Sequence, residues 1–286
     1  MGLFVELCFF YEKMVKLFNV FEFLVYFFIF IFGVCIGSFL NCVIYRTELQ
    51  ENMPAGPGRK AVSFLRGKSF CPHCKHTLKW LDLVPVFSFV FLLGKCRYCK
   101  KQISVQYPLV ELATGLIFLL ISNQFQISNF LNLVFLFYVA SVLIVIFVYD
   151  LKHYLIPDKV LFPAIMIAFI YRLFENFSSI LFFLLASLIA SGFFLAIFLI
   201  SKGRWMGFGD VKLAVLMGLL LGVQNVLAAL FLAFFFGAII GVILMVFGKK
   251  KLKSEIPFGP FLIIGTFLAM LYGSQIIQWY LNFLQI

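Results

Sequence analysis

Residues 206–213 read MGFGDVKL and set an acid, Asp210, behind two glycines, just where a strongly apolar run begins. A carboxylate at the mouth of a membrane span is costly to desolvate, so its presence there asks for a reason. A second acid, Asp150, closes another apolar run, IVIFVYD, and the polar turn LKHYLIPD follows it. Two carboxylates at span ends, once brought together, can share a proton and activate water.

Working outward from these acids, composition fixes the solvent. Apolar residues make up 64% of the chain, against roughly 45–50% in soluble domains. The 41 Phe and only 12% charged residues point the same way. A chain of 286 residues holds about eight spans at roughly 20 residues each. The expected fold is therefore an all-α polytopic membrane protein. Its spans fall near 23–45, 106–122, 129–149, 156–173, 178–200, 211–223, 225–247 and 258–283. The N-terminal stretch carries Glu6, Glu12, Lys13 and Lys16 with no small-residue cleavage site after it, so no cleavable signal is expected. Gly237, Ala238 and Gly241 read as small-residue packing positions between helices.

The net charge of +11 does not point to nucleic acid, because no basic stripe with interleaved aromatics stands outside the loops. Its distribution instead orients the chain. The polar segment after the first span carries Arg46, Arg59, Lys60, Arg66, Lys68, Lys75, Lys79, Lys95, Arg97, Lys100 and Lys101. By the positive-inside rule this segment is cytoplasmic. The other loops expected inside add Lys152, Lys159, Lys202, Arg204, Lys212 and the basic residues 249–251 and 253, giving 20 of the 23 cations. Asp150 and Asp210 then both lie at cytoplasmic ends of their spans. Three parts follow: 1–45 with the first span, a cytoplasmic loop at 46–105, and a membrane domain of seven spans at 106–286.

The cysteines are of two kinds. Cys8, Cys35 and Cys42 have apolar surroundings and read as packing residues. Cys71, Cys74, Cys96 and Cys99 form two Cys-x-x-Cys knuckles with 21 residues between them. Two thiolates from each knuckle suit one tetrahedral zinc ion, which folds a loop too small for its own core. The reducing cytosol disfavours structural disulfides, so metal is preferred over a redox pair. His73 and His76 stand beside the first knuckle as bystanders.

Each acid also has a structural reading. Asp150 suits a boundary acid partnered by Lys152, and Asp210 suits a helix N-cap. Taken together the acids ask for more, because Gly207 and Gly209 clear side chains from around Phe208 and let a backbone approach the carboxylate. Helix dipoles act on the two acids in opposite senses, an asymmetry that suits a dyad with one protonated member. Asp158 is a third candidate, read as a turn residue. Glu111, near the entrance of the second span, has either a structural or a substrate-related role.

The blocks GSFLNCVIYR (37–46), CPHC…CRYC, YPLVELATG (107–115), YDLKHYLIPD (149–158), GFGDVKL (207–213) and PFGPFL (257–262) occur in an order that resembles the type IV prepilin peptidases, the leader peptidase/N-methyltransferase family. The resemblance covers nearly the whole chain. It implies a GxGD aspartyl peptidase of the bacterial plasma (inner) membrane, acting at the cytoplasmic face. Such enzymes cut the basic leader from prepilins and pseudopilins after a Gly and then methylate the new N-terminal residue. Asp150 and Asp210 match the family's catalytic aspartates. The four-cysteine loop matches the segment associated with methyl transfer from S-adenosylmethionine, where Gly94 and Lys95 match a Gly-Lys-Cys block. The rivals are a GxGD peptidase without the methyltransferase and a proton-coupled transporter. A transporter predicts acids near mid-bilayer and paired repeats, and the sequence displays neither.

Overall fold

The computed structural model describes residues 2–52, 67, 69–125, 129–175, 177–247 and 257–283, with side chains from residue 20 onward. Arg59, Lys60, Arg66, Lys68, the basic residues 249–251 and 253, and the side chains of Cys8, Lys13 and Lys16 lie outside that description. The described residues are almost wholly helical, and they hold only two isolated β-bridges, Phe70 with Thr77 and Lys95 with Gln102. The chain divides into two compact units, residues 1–141 and 142–286.

The first unit is built on α1 (Gly2–Asn52) and α3 (Gln106–Gln124), joined by the cysteine loop and its five-residue helix α2 (Phe87–Phe91). Gly33 and Gly37, one turn apart on α1, let it close on α3. A Cβ on Gly33 would stand 2.8 Å from the Cα of Gly115, and one on Gly37 2.7 Å from the Cα of Glu111. Small residues that admit a neighbouring backbone are how helices associate in lipid, where burial of apolar surface supplies no drive. The expected polar boundary at Arg46 is not the end of the helix. Arg46 is buried inside α1, and its guanidinium donates to the carbonyl of Gly67 at 2.7 Å. Asn41 likewise donates to the carbonyl of Tyr107 at 3.0 Å, which fixes the register of α1 on α3. Cys35 is exposed on α1 rather than packed, and the Cys42 thiol lies 3.9 Å from the Ser69 hydroxyl.

Helix α4 (Phe130–His153) straddles the two units. The second unit continues with α5 (Asp158–Glu175), α6 (Ile180–Ser201), α7 (Phe208–Val246) and α8 (Gly259–Phe283). Helix α7 is two limbs, because Gly222 takes φ 71° and ψ 177° in its middle. That conformation favours glycine. It reverses the chain: Phe208 lies against Phe198 and Gly218 against Ser187, whereas Phe234 has returned to Phe193 and Phe194. The limbs match the expected sixth and seventh spans. Carbonyls freed by such a break need donors in lipid, and Arg172 supplies them. Its Nε donates to Leu219 at 3.1 Å and its Nη2 to Leu220 at 2.7 Å, while the guanidinium lies 4.1 Å over the Phe183 ring.

Among the described residues, five helical stretches are long and apolar enough to cross a membrane: Val20–Glu51, Phe130–His153, Phe177–Ser201, Phe208–Val246 and Gly259–Phe283. The shorter α3 and α5, which carry Glu111 and the charges of Asp158, Lys159, Arg172 and Glu175, fall outside that set. With the reversal at Gly222 the architecture is an all-helical, multi-pass membrane protein of about eight helical segments. Of the expected packing positions in the second unit only Gly237 meets a neighbour, a Cβ there standing 3.6 Å from Phe258 and 3.7 Å from Phe261. A Cβ on Gly241 would meet nothing within 4 Å, and Ala238 is exposed. The tight approaches are instead Gly218 on Ser187 and Gly265 on Ala229. Residue size alone does not say which face of a helix meets a partner.

Candidate active site and metal centre

Helix order explains why the two aspartates meet. Asp150 lies in the last turn of α4, which closes as the amide of Tyr154 donates to the carbonyl of Asp150 at 2.9 Å. Asp210 opens the first limb of α7. Helix α8 packs antiparallel to the second limb, with Gly265 on Ala229 and Gly273 on Asn225. Its first residue, Gly259, therefore arrives at the end of the unit where Asp210 sits.

Gly259 is where the carboxylates converge. A Cβ built on it would collide with Oδ2 of Asp150 and stand 3.2 Å from the Asp150 Cγ and 3.6 Å from Oδ1 of Asp210. The Gly259 amide donates to the Asp150 carboxyl, and the Gly207 amide donates to that of Asp210. Asp150 is 4% exposed and Asp210 7%. Two buried acids facing one another across a glycine have the composition of a carboxylate dyad.

Around Asp210 the expected N-cap moves. The cap is Gly207, in extended backbone, and Asp210 stands three residues on, in the first turn. From there its carboxylate reaches back to the cap amide, half of a capping box. The two glycines separate in role. A Cβ on Gly209 would stand 3.1 Å from the Ile156 side chain, so Gly209 admits the turn after Asp150 rather than leaving open space. Gly207 stays open, with its nearest neighbour 3.9 Å away. Asp158, the third candidate, starts α5 and holds Lys212 with both oxygens, at 2.7 and 2.8 Å. Lys212 also lies 5.3 Å over the rings of Phe162 and Phe208. Ile156 on Gly209 and Asp158 on Lys212 thus knit the segment following Asp150 to the segment bearing Asp210.

In the first unit the four cysteines come together. The Sγ atoms of Cys71, Cys74, Cys96 and Cys99 all lie within 4.8 Å of one another, and Cys71 and Cys99 are 3.9 Å apart. Tetrahedral zinc, with Zn–S near 2.3 Å, sets its sulfurs about 3.8 Å apart, so the cluster fits a metal ion. The knuckles are one ten-residue unit used twice. The amide of Lys75 donates to the carbonyl of Cys71 at 2.9 Å, and that of Lys100 to Cys96 at 3.0 Å. Cys71 takes its amide partner from His76 and Cys96 from Lys101, while Leu78 bonds Ser69 as Ile103 bonds Gly94. Lys75 and Lys100 both take left-handed backbone, φ 58° and 59°. The amino-acid pattern predicts no internal repeat here, because the two units share only their cysteines and this lysine. His76 stacks on Tyr98 at 3.7 Å and does not join the sulfurs.

The thiols differ in acidity. Burial raises Cys71, but the amides of Cys74 and His73 and the neighbouring thiols outweigh it and bring Cys71 down to about 7. For Cys99 the Lys101 amide lowers the value, yet burial and the other three thiols prevail and push it up to about 11. Deprotonating all four thiols in one place would take a cation to hold them.

Between the knuckles, Asp82 pairs with Arg97 at 2.8 Å and accepts from the Tyr98 hydroxyl at 3.0 Å. Gly94 takes φ +66°, and its amide donates to Phe89 at 2.8 Å. Buried Glu111 accepts from the amide of Val86 at 2.7 Å. Sequence reasoning assigns no role in the site to Gly259, Lys212 or Val86, and counts Lys212 only among the orienting cations. A glycine in an apolar run carries no chemical signal, and an ion pair across 54 residues leaves none either.

Comparison with known proteins bears on both halves of the chain. Residues 31–125 match the bacterial peptidase A24 N-terminal domain, and residues 137–242 match the type IV leader peptidase family. A protein of Bacillus subtilis (strain 168) called prepilin leader peptidase/N-methyltransferase is 34% identical over 255 residues, 89% of this chain and 97% of its own length. One of Stutzerimonas stutzeri with the same name is 31% identical over 272 residues, covering 88% and 92%. Another, of Legionella pneumophila, is 31% identical over 88% and 93%. No solved structure matches the chain.

Proposed function

The chain belongs to the type IV leader peptidase family, and we propose from this that it is a bifunctional membrane enzyme of prepilins or pseudopilins. It cleaves their basic leader after a glycine and N-methylates the residue that cleavage uncovers. The convergence of Asp150 and Asp210 on Gly259 carries the reading. In the proposed chemistry one aspartate takes a proton from water as the water attacks the scissile carbonyl. The other, protonated, gives its proton to the leaving amine, so the pair ends with its protonation exchanged and ready to be restored. Gly259 keeps the space between the carboxylates open, and Gly207 leaves a clear approach beside them.

The substrate's apolar stem lies in the bilayer, and its junction meets the dyad at the cytoplasmic face of the inner membrane. Lys152, Lys202, Arg204 and Lys212 around the acid-bearing ends support that orientation. Cys71, Cys74, Cys96 and Cys99 would hold zinc, which supplies a fixed crosslink for a loop with little core of its own. The same loop, residues 46–105, serves methyl transfer from S-adenosylmethionine, with the turn at Gly94 presenting the exposed Lys95. Residues 106–286 form the peptidase part after the first span, 1–45.

The test is incubation of the reconstituted protein with a prepilin peptide and S-adenosylmethionine, reading products by mass. The proposal expects a shortened peptide carrying one added methyl group. A shortened peptide without the methyl group leaves a peptidase alone, and an intact peptide removes both activities.

A further inference from the structure

Between the two cysteine knuckles the first unit exposes a cluster of large apolar side chains that the proposed chemistry leaves unused. Leu93 is 84% exposed, Phe91 81% and Trp80 75%, with Phe87 and Val90 beside them. Phe87, Val90 and Phe91 recur at helical spacing along α2, whereas Phe89 is less exposed, its ring tip 3.1 Å from where a Cβ of Gly94 would stand. Lys79 and Lys95 bracket the segment in sequence, and Lys100 and Lys101 follow in the second knuckle, all exposed. Soluble surfaces rarely carry so many large apolar groups together.

The depth of this segment can be read from its anchor. Val86, immediately before α2, donates its amide to Glu111 of α3. Glu111 stands five residues beyond Gln106, where α3 begins, or about 7–8 Å along the helix at its ordinary rise. Leu109, Leu112 and Leu116 are exposed at and beyond this level and recur at helical spacing, as lipid-facing residues do. The hydrogen bond to Glu111 therefore holds α2 beside the first lipid-facing leucines of α3. Val86 takes φ 60°, an uncommon conformation for a β-branched residue, in making this contact.

We propose that Trp80–Leu93 lies in the interfacial layer of the bilayer. In this arrangement Phe87, Val90, Phe91 and Leu93 enter the acyl boundary and the flanking lysines meet anionic lipid headgroups. An apolar face with a basic margin is the composition of an interfacial segment, and lysines near an anionic leaflet gain from its surface potential. The segment acts as a float between the knuckles, setting the height of the cysteine cluster over the membrane. This goes beyond the proposed function and holds whether or not the aspartates are catalytic.

The chain itself supplies the probe, since Trp80 is one of three tryptophans. The full-length double variant W205F/W279F, reconstituted in vesicles, leaves Trp80 as the sole reporter. Lipids brominated at different acyl depths and aqueous acrylamide then compete as quenchers. Shallow-brominated lipid should quench Trp80 strongly and acrylamide weakly, with a blue-shifted emission. The lipid quenching should grow at least two-fold when phosphatidylglycerol replaces part of the phosphatidylcholine, and K79Q/K101Q should lose that gain. A second reporter, Phe91→Trp in the chain with Trp80, Trp205 and Trp279 replaced by Phe, should be quenched by lipid more strongly than Trp80. Retained metal content shows that both variants fold. Water-like emission with full acrylamide access in both reporters would overturn the proposal. Protection that develops only on adding prepilin peptide would overturn it as well, marking the patch as a substrate surface.

Discussion

Two clusters of like side chains are assembled here by opposite means. In the second unit, Asp150 and Asp210 arrive from the ends of two apolar helices, and Gly259 of a third leaves the gap in which they meet. Helix packing does the positioning, and the site needs no ion to exist. In the first unit, four thiols are delivered by two short knuckles with the same hydrogen-bond pattern, in a loop where Cys71 and Cys96 are the only apolar side chains buried among residues 69–105. Backbone turns do the positioning there, and a metal ion in the proposed site would complete it by neutralising charge. Buried carboxylates on rigid helices suit proton transfer, whereas a crosslinked loop suits holding another molecule.

The contrast is broken most severely at the dyad. Asp150→Asn or Asp210→Asn should lower cleavage on the order of 10²–10⁴-fold, the ordinary contribution of a positioned acid or base. Membrane insertion, and methylation of a peptide supplied already cleaved, should stay near wild type. Gly259→Ala comes next. Its Cβ meets the Asp150 carboxylate directly, so cleavage should fall about ten-fold or more, each ~1.4 kcal/mol of lost positioning being tenfold in rate. Metal content of the cysteine loop should not change, which peptide assay and metal analysis together measure.

The cysteine cluster should respond to chelator and pH where the dyad does not respond to chelator at all. Cys74→Ser or Cys99→Ser should release the metal and reduce methylation more than cleavage. Metal retention should weaken as pH falls through about 7, where Cys71 takes up a proton in competition with the ion. Because Cys99 stands near 11 without the ion, binding at neutral pH must displace its proton. Titration of metal into the stripped protein in weak buffer should therefore release protons. The smallest effect is expected at the ion pair. Asp158→Asn or Lys212→Met should cost at most about 1 kcal/mol of stability, since Asp158 is well exposed. Both should lower kcat more than they raise KM, and the exchange D158K/K212D should restore part of the loss.

Much of this arrangement is legible in the amino-acid sequence. The acids stand out because a charge at the edge of an apolar run has few other reasons to be there, and the paired Cys-x-x-Cys pattern is a ligand spacing. The turn at Gly222 shows as a polar interruption, GVQN, in a long apolar stretch. Gly259 is not legible, since its role is the absence of a side chain at a point fixed by three helices. Ala238 and Gly241 mislead for a related reason: small residues permit close approach, but the partner's position decides whether it occurs. The repeat of the knuckles is hidden because hydrogen-bonded turns constrain backbone angles more than residue identity.

The most direct test of the central claim is a comparison of prepilin cleavage by the D150N, D210N and D150N/D210N proteins, each reconstituted and assayed by product mass. If the two carboxylates act as one unit, the double variant cleaves no more slowly than either single variant. Losses that multiply in the double variant, or wild-type cleavage by either single variant, would contradict a shared site.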